Sequence, residues 1–310
     1  MKNYSLPIFN CLFLLLLLYW QPISITTQTG EEPEFNYIEG SPKGPEHWGE
    51  LKPEWKLCKI RHHQSPIDIL YKDIRVNINL GDLRLNYKVS DAIIKNTDSY
   101  VEFPASMNAG AAVHPYCAPH GRKRDEEISV RRREEGTTVN RQSFWVEWVG
   151  DAGSIQIDYE QYSLSHCHWH SPAEHLINGK RYDLELHVVH ENTSNQVSVV
   201  RAEFYQIGEP DSFLTKFTEE LKTLVNNKGE RAIGVIDPIE TNTNTFMYYR
   251  YDGSLTTPPC NESVTWIVNG KINTVSSKQL QLLREANFDF RGEDNARPVQ
   301  ALNDRKIFLW

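Results

Sequence analysis

From about residue 66 onward the chain is built of short apolar runs, rich in β-branched and aromatic residues and separated by turn-forming residues. This pattern predicts strands over Ile74–Leu80, Ala92–Lys95, Phe144–Trp148, Ser154–Asp158, Leu164–His170, Asp183–His190, Gln196–Ile207 and Val264–Val268, and so a mainly β domain. Helical spacing is clearest in Ser212–Asn226, where Phe213, Phe217, Leu221 and Leu224 fall on one face; Lys278–Glu285 is a shorter helix candidate. Residues 29–62 are rich in Pro, Gly, Trp and Glu without periodicity, and read as an ordered segment pinned by its aromatic side chains. At the start, Lys2 precedes the apolar run Leu12–Trp20, which is short for a membrane span and has the shape of a secretory signal over residues 1–28. Residues 29–310 then read as a single domain, with a charged insertion or doubtful segment at about 97–143 that includes Arg131-Arg-Arg133.

Composition narrows the functional classes. The net charge of −8 over 310 residues argues against nucleic acid as a partner. No second apolar stretch is long enough for a stable membrane span. A secretory signal implies an extracellular location or another compartment of the secretory route, a plastid reached that way included. Cysteines pair in such places. Removing residues 1–28 leaves Cys58, Cys117, Cys167 and Cys260, with three possible full pairings. Asn192-Thr-Ser and Asn261-Glu-Ser are glycosylation acceptor motifs that fit the same route. The sequence assigns no oligomeric state.

The chemistry lies in His166-Cys-His-Trp-His170 and Glu185-Leu-His187. Alternation along a strand puts His168 and His170 on one face, and a neighbouring strand can bring His187 beside them. Three imidazoles without a fourth protein ligand are the donor set of a catalytic zinc ion with an open position. Zinc so held makes hydroxide available at neutral pH. Glu185 shares the face of His187 and can fix the tautomer of that ring. Cys167 points to the opposite face, as a small buried apolar group. Arg201 and Glu203 share a face and interrupt an otherwise apolar strand, where each needs a partner.

The chain resembles the α-class carbonic anhydrases, in particular their secreted plant-type members. The likeness runs from Phe35 to about Arg305 and is carried by Tyr37-Ile-Glu-Gly, Gly44-Pro-Glu-His-Trp-Gly49, Gln64-Ser-Pro-Ile-Asp68, His168-Trp-His-Ser-Pro-Ala-Glu-His175, Glu185-Leu-His-Val-Val-His190, Tyr249-Arg-Tyr-Asp-Gly-Ser-Leu-Thr-Thr-Pro-Pro-Cys260 and Asn295-Ala-Arg-Pro298. The resemblance implies a large, mostly antiparallel central sheet with short peripheral helices. It makes His168, His170 and His187 ligands of Zn2+, this family being itself the reference case of the three-histidine zinc site. It implies reversible hydration of CO2 to bicarbonate by zinc-bound hydroxide. Thr256 and Glu174 become the pair that orients that hydroxide, and Asn295 supports His170 through its backbone. Val189, Val200, Leu255, Val264 and Trp266 line the apolar CO2 pocket, and Thr257 lines the cavity near bicarbonate. Cys58 and Cys260 match a disulfide of secreted members.

Two features depart from the family. A proton-carrying histidine is expected in an Asn-x-Gly-His motif, yet Asn96-Thr-Asp-Ser99 and Asn140-Arg-Gln-Ser143 contain none, so proton transfer is expected to be slow unless His114, His120 or His166 substitutes. His166 replaces a glutamine that bonds the first ligand, and is expected to take over that bond, the alternative being a competing ligand. The alternative to an enzyme is a non-catalytic storage or binding relative. Small activated esters are a possible side substrate of the same site, whereas a serine hydrolase is disfavoured because no Gly-x-Ser-x-Gly motif occurs.

Overall fold

The strands, in chain order, are β1 (Asp68–Ile69), β2 (Ile74–Val76), β3 (Arg84–Tyr87), β4 (Ser90–Asn96), β5 (Phe144–Trp148), β6 (Gly153–Ile157), β7 (Glu160–His170), β8 (Leu176–Ile177), β9 (Lys180–Arg181), β10 (Leu184–Asn192), β11 (Val197–Ile207), β12 (Gly229–Ile236), β13 (Tyr248–Gly253), β14 (Val264–Val275) and β15 (Ile307–Leu309). Helices are short: α1 (Trp48–Leu51), α2 (Leu57–Ile60), α3 (Ser212–Thr215), α4 (Thr218–Asn226) and α5 (Ser277–Asn287). This computed structural model describes residues 35–80, 83–96, 144–192, 197–241, 247–287 and 294–310. The signal reading of residues 1–28, the charged segment 97–143, Cys117, His114 and His120 lie outside the described residues.

The main sheet runs β12-β4-β5-β7-β10-β11-β14-β13-β15-β2, with β3 and β6 attached at β7. Its pairings are antiparallel except β11 with β14 and β15 with β2. Register determines what meets on one face. Across the sheet, Lys95, Trp145, His168, His187, Ala202 and Val268 are successive cross-strand partners. The adjacent row on the same face is Glu147, His166, Val189, Val200, Trp266 and Tyr251. Directly opposed residues in neighbouring strands put their side chains on the same side, so two sequence-distant histidine motifs become one cluster.

The opposite face is closed by helices. Ile94, Val146, Cys167, Trp169, Leu186 and Val188 pack there against Phe213 of α3, Phe217, Leu221 and Leu224, and Leu280 and Leu283 of α5. The single helix expected over 212–226 is broken. Lys216 N–H bonds back to Phe213 O, tightening the first turn, and Phe217 leaves helical dihedrals at φ −128° and ψ 24°. That turn seats the Phe217 ring 5.2 Å from Phe213 and 6.3 Å from Trp169. The strand expected over Ile74–Leu80 stops at Val76, because Asn77 starts a turn: its Oδ1 accepts from Asn79 N–H and its carbonyl from Leu80 N–H. Phe35, Trp48 and Trp55 form the expected aromatic anchor of the N-terminal segment, together with Cys58 and Cys260.

Candidate metal centre

The three histidines come from the middle of the sheet, where backbone pairing on both sides leaves little freedom. His168 and His170 end β7, and His187 lies opposite His168 in β10. Ring centroids are 5.1 Å apart for His168–His170, 5.3 Å for His168–His187 and 4.5 Å for His170–His187. One donor nitrogen from each lies within 4.8 Å of the others.

Hydrogen bonds decide which nitrogens are free. His170 donates from Nδ1 to the carbonyl of Asn295 at 2.7 Å, and its buried Nε2 has no partner among the described residues. His187 donates from Nε2 to Glu185 Oε1 at 2.7 Å, which leaves its Nδ1 lone pair available. Burial pushes the His170 imidazole down to about 4, although Asn295 O and Glu185 oppose it. Burial also lowers His187, against the pull of Glu185, and lowers His168, reinforced by repulsion from His170 and His187. Near neutral pH all three rings are uncharged, the state a metal ligand needs. A second cluster, His175, Glu185 and His187, is equally compact. There, however, Glu185 Oε1 accepts from both His175 Nδ1 (2.6 Å) and His187 Nε2 (2.7 Å), so protons already fill the space between those groups.

Glu185 is fully buried. Its Oε2 takes the backbone N–H groups of Glu174 and His175, both at 2.8 Å. Burial alone would raise its pKa, but His175 and His187 hold it well below the usual carboxylate range. The chain continues through Tyr251, whose hydroxyl donates to His175 Nε2 at 2.6 Å and lies 2.9 Å from Ser65 Oγ. Gly253 permits this approach, since a Cβ there would lie 2.2 Å from Ser65 Oγ. The sequence alone assigns no role to His175 or Tyr251; the Glu-His dipeptide at 174–175 is the available signal.

Glu174 is also fully buried, and desolvation raises its carboxyl to about 7 against stabilisation by the Thr256 hydroxyl and the Arg297 N–H. Oε1 accepts from Arg297 N–H at 2.9 Å. Thr256 is buried beside it, and Thr257 is half-buried, its carbonyl accepting from Cys260 N–H. Val189, Val200, Leu255, Val264 and Trp266 gather in one apolar cluster, with the Trp266 ring 4.8 Å from that of His187. Asn295 bonds His170 through its backbone carbonyl. The Cys58–Cys260 disulfide is present, and Cys167 is a buried free thiol. Asn192 is held by Gln161 O at the end of β10, and Asn261 O accepts from Leu255 N–H.

One expectation fails. His166 does not bond the first ligand: its ring lies over His168 at 5.4 Å and 24°, its Nδ1 meets Ser165 Oγ at 3.1 Å, and His168 Nδ1 has no hydrogen-bond partner among the described residues. Near-parallel rings two residues apart on one strand present faces to each other, so an N–H of one cannot point at the other. His166 is also unsuited to carry protons, being 1% exposed and pushed down to about 4 by burial.

A family model described as eukaryotic-type carbonic anhydrase matches residues 123–309. The chain belongs to that family. It is 42% identical over 302 residues to carbonic anhydrase Nec1 of Nesocodon mauritianus, covering 96% of this chain and 92% of that one. It is 36% identical to dioscorin dioA3 of Dioscorea japonica over 283 residues, 91% and 88% of the two chains. Among solved structures, a dioscorin complexed with ascorbate superposes with a TM-score of 0.72 at 34% identity, covering 89% of this chain and 97% of that one. The α-carbonic anhydrase of Thermovibrio ammonificans gives 0.66 at 30% identity, covering 89% and 99%. The mostly antiparallel sheet with its apolar and histidine-bearing face is thus the carbonic anhydrase fold.

Proposed function

We propose that this chain is a zinc-dependent carbonic anhydrase that interconverts CO2 and bicarbonate. The observation that carries the reading is the His168–His170–His187 cluster: neutral rings, with Asn295 and Glu185 directing the free nitrogens of His170 and His187. The donor set fits zinc, and a zinc ion held there supplies a Lewis acid that brings the pKa of water to near 7.

The chain's own residues do the rest. Thr256 donates its hydroxyl proton toward Glu174, leaving its lone pairs for the reacting water, so that water presents one defined face to the substrate. Val189, Val200, Leu255, Val264 and Trp266 form a dry wall that accepts CO2, and Thr257 takes the role of lining the cavity near bicarbonate. With His166 buried and neutral, protons pass to dissolved buffer. A secretory location is part of the proposal; the long-range disulfide supports it, since such bonds persist in oxidising compartments. Asn192 and Asn261, each in an acceptor motif, would then meet the glycosylation machinery.

The similarity to dioscorins supports a second reading, a non-catalytic binding protein. The test is initial-rate CO2 hydration by zinc-analysed protein, titrated with an imidazole buffer. Hydration that climbs with buffer is the expected result. A folded, zinc-loaded protein with no rate above background overturns the enzyme and favours the binding protein.

A further inference from the structure

A closed circuit of contacts runs around the Thr256–Glu174 pair and passes through Arg297. Thr256 lies in the loop that the disulfide ties to Cys58 in α2, and Gln64 Nε2 donates to Cys260 O at 3.0 Å. Arg297 Nη2 donates to Cys58 O at 3.2 Å, and Nη1 donates to Gln64 Oε1 at 3.0 Å and Ser65 O at 2.8 Å. The guanidinium lies 5.6 Å over the Trp48 ring, and the residue is 1% exposed. Its own backbone N–H holds Glu174 Oε1.

This is a costly way to join two segments. These hydrogen-bond acceptors of the guanidinium are neutral oxygens, and burial pushes its pKa down to about 10, with Glu174 and Tyr37 opposing. Apolar packing would join the segments at less cost. What a planar, multi-donor cation adds is direction, because one rigid group fixes three acceptors on two segments relative to one backbone N–H.

We infer that Arg297 is a positioning residue for the reaction: by clamping Cys58, Gln64 and Ser65 it sets the N–H that holds Glu174 and keeps that carboxylate turned toward Thr256. The inference rests on the hydration reading of the site. It separates orientation from stability. A hydroxyl that must donate to Glu174 can only accept from a ligand, so a ligand carrying a hydrogen is favoured over one without.

The experiment uses the full chain, unsubstituted and as Arg297→Lys and Gln64→Ala. Zinc content and thermal midpoint are measured first. Hydration kcat/KM is then taken well below each midpoint, and cobalt(II)-loaded protein is titrated with hydrosulfide and with azide, followed by visible absorption. Arg297→Lys should keep its metal, lose about tenfold in kcat/KM and lose preference for hydrosulfide over azide by a similar factor, as expected for a sub-ångström displacement. Gln64→Ala, which keeps the arginine and its backbone acceptors, should shift both in the same direction by about threefold, and it decides the matter if Arg297→Lys does not fold. Unchanged kcat/KM and an unchanged ligand ratio, even with a lowered midpoint, reduce Arg297 to a structural residue. Absence of hydration in the unsubstituted zinc protein removes the reading beneath it as well.

Discussion

Glu185→Gln replaces one oxygen by an NH2 group and should move a proton onto the His187 nitrogen proposed to bind the metal. The carboxylate accepts four hydrogen bonds, two at Oε2 from backbone N–H groups and two at Oε1 from His175 and His187. A glutamine in the same place has one accepting oxygen and one NH2 group. The backbone donors cannot retautomerise, so the oxygen must face them and the NH2 must face both imidazoles. To avoid donor meeting donor, at about 1–3 kcal/mol for each unmet buried group, His187 must give up its Nε2 proton and take one at Nδ1. That nitrogen is the one turned toward His168 and His170. Loss of a partner that orients a metal-bound histidine costs about 10–100-fold in affinity, which is about 1.4–2.8 kcal/mol. Chelator competition on the folded apoprotein measures the zinc Kd of both forms. A Kd within about twofold of the unsubstituted protein, with folding confirmed by near-UV circular dichroism, refutes the tautomer argument.

Other perturbations test separate parts. Thr256→Ala should leave zinc content intact and lower hydration kcat/KM by about 10²-fold, read by stopped flow. Cys58→Ala with Cys260→Ala should cost about 2–5 kcal/mol in denaturant unfolding, the bridge closing a separation of 202 residues. Glu203→Ala removes the carboxylate that pairs with the buried Arg201 guanidinium and should cost about 3–5 kcal/mol, whereas Arg201→Leu with Glu203→Ile, which removes both charges, should cost less. His190 donates from Nδ1 to Val199 O and accepts from the Tyr87 hydroxyl at 2.7 Å, and burial beside Arg201 lowers it to about 3. Its unfolded pKa is near 6.5, so below that pH the unfolded chain binds the extra proton; stability present above about 6.5 is lost as pH falls toward 3. His190→Gln should flatten that part of the urea midpoint against pH.

The sequence revealed the site better than it revealed the sheet edges. Strands β7 and β10 carry both the strand pattern and the histidine motifs, so pattern and chemistry point to the same residues. Strand β12 is mostly solvent-exposed and reads Gly-Glu-Arg-Ala-Ile-Gly, with no alternation to detect. Strand β15 has three residues and exists because β13 and β2 flank it. Strand alternation puts Arg201 and Glu203 on one face, but their partners Thr241 and Asn269 come from elements with no sequence link to them. His166 was misjudged because a family position specifies a residue's location, not the tilt of its ring. Tilt depends on the bulge that leaves Ser165 unpaired between Leu164 and His166.

The order in which the polypeptide leaves a ribosome bears on when this site exists. The histidines, Glu174 and Glu185 are made by residue 187, but Asn295 and Arg297 come more than a hundred residues later, and β15 must emerge before β2 gains its neighbour. Such late, distant pairings make folding slow. A nascent or prematurely ended chain therefore carries the histidine motifs without the carbonyl and N–H that orient them, and gains those partners only once residues 295–297 have been made.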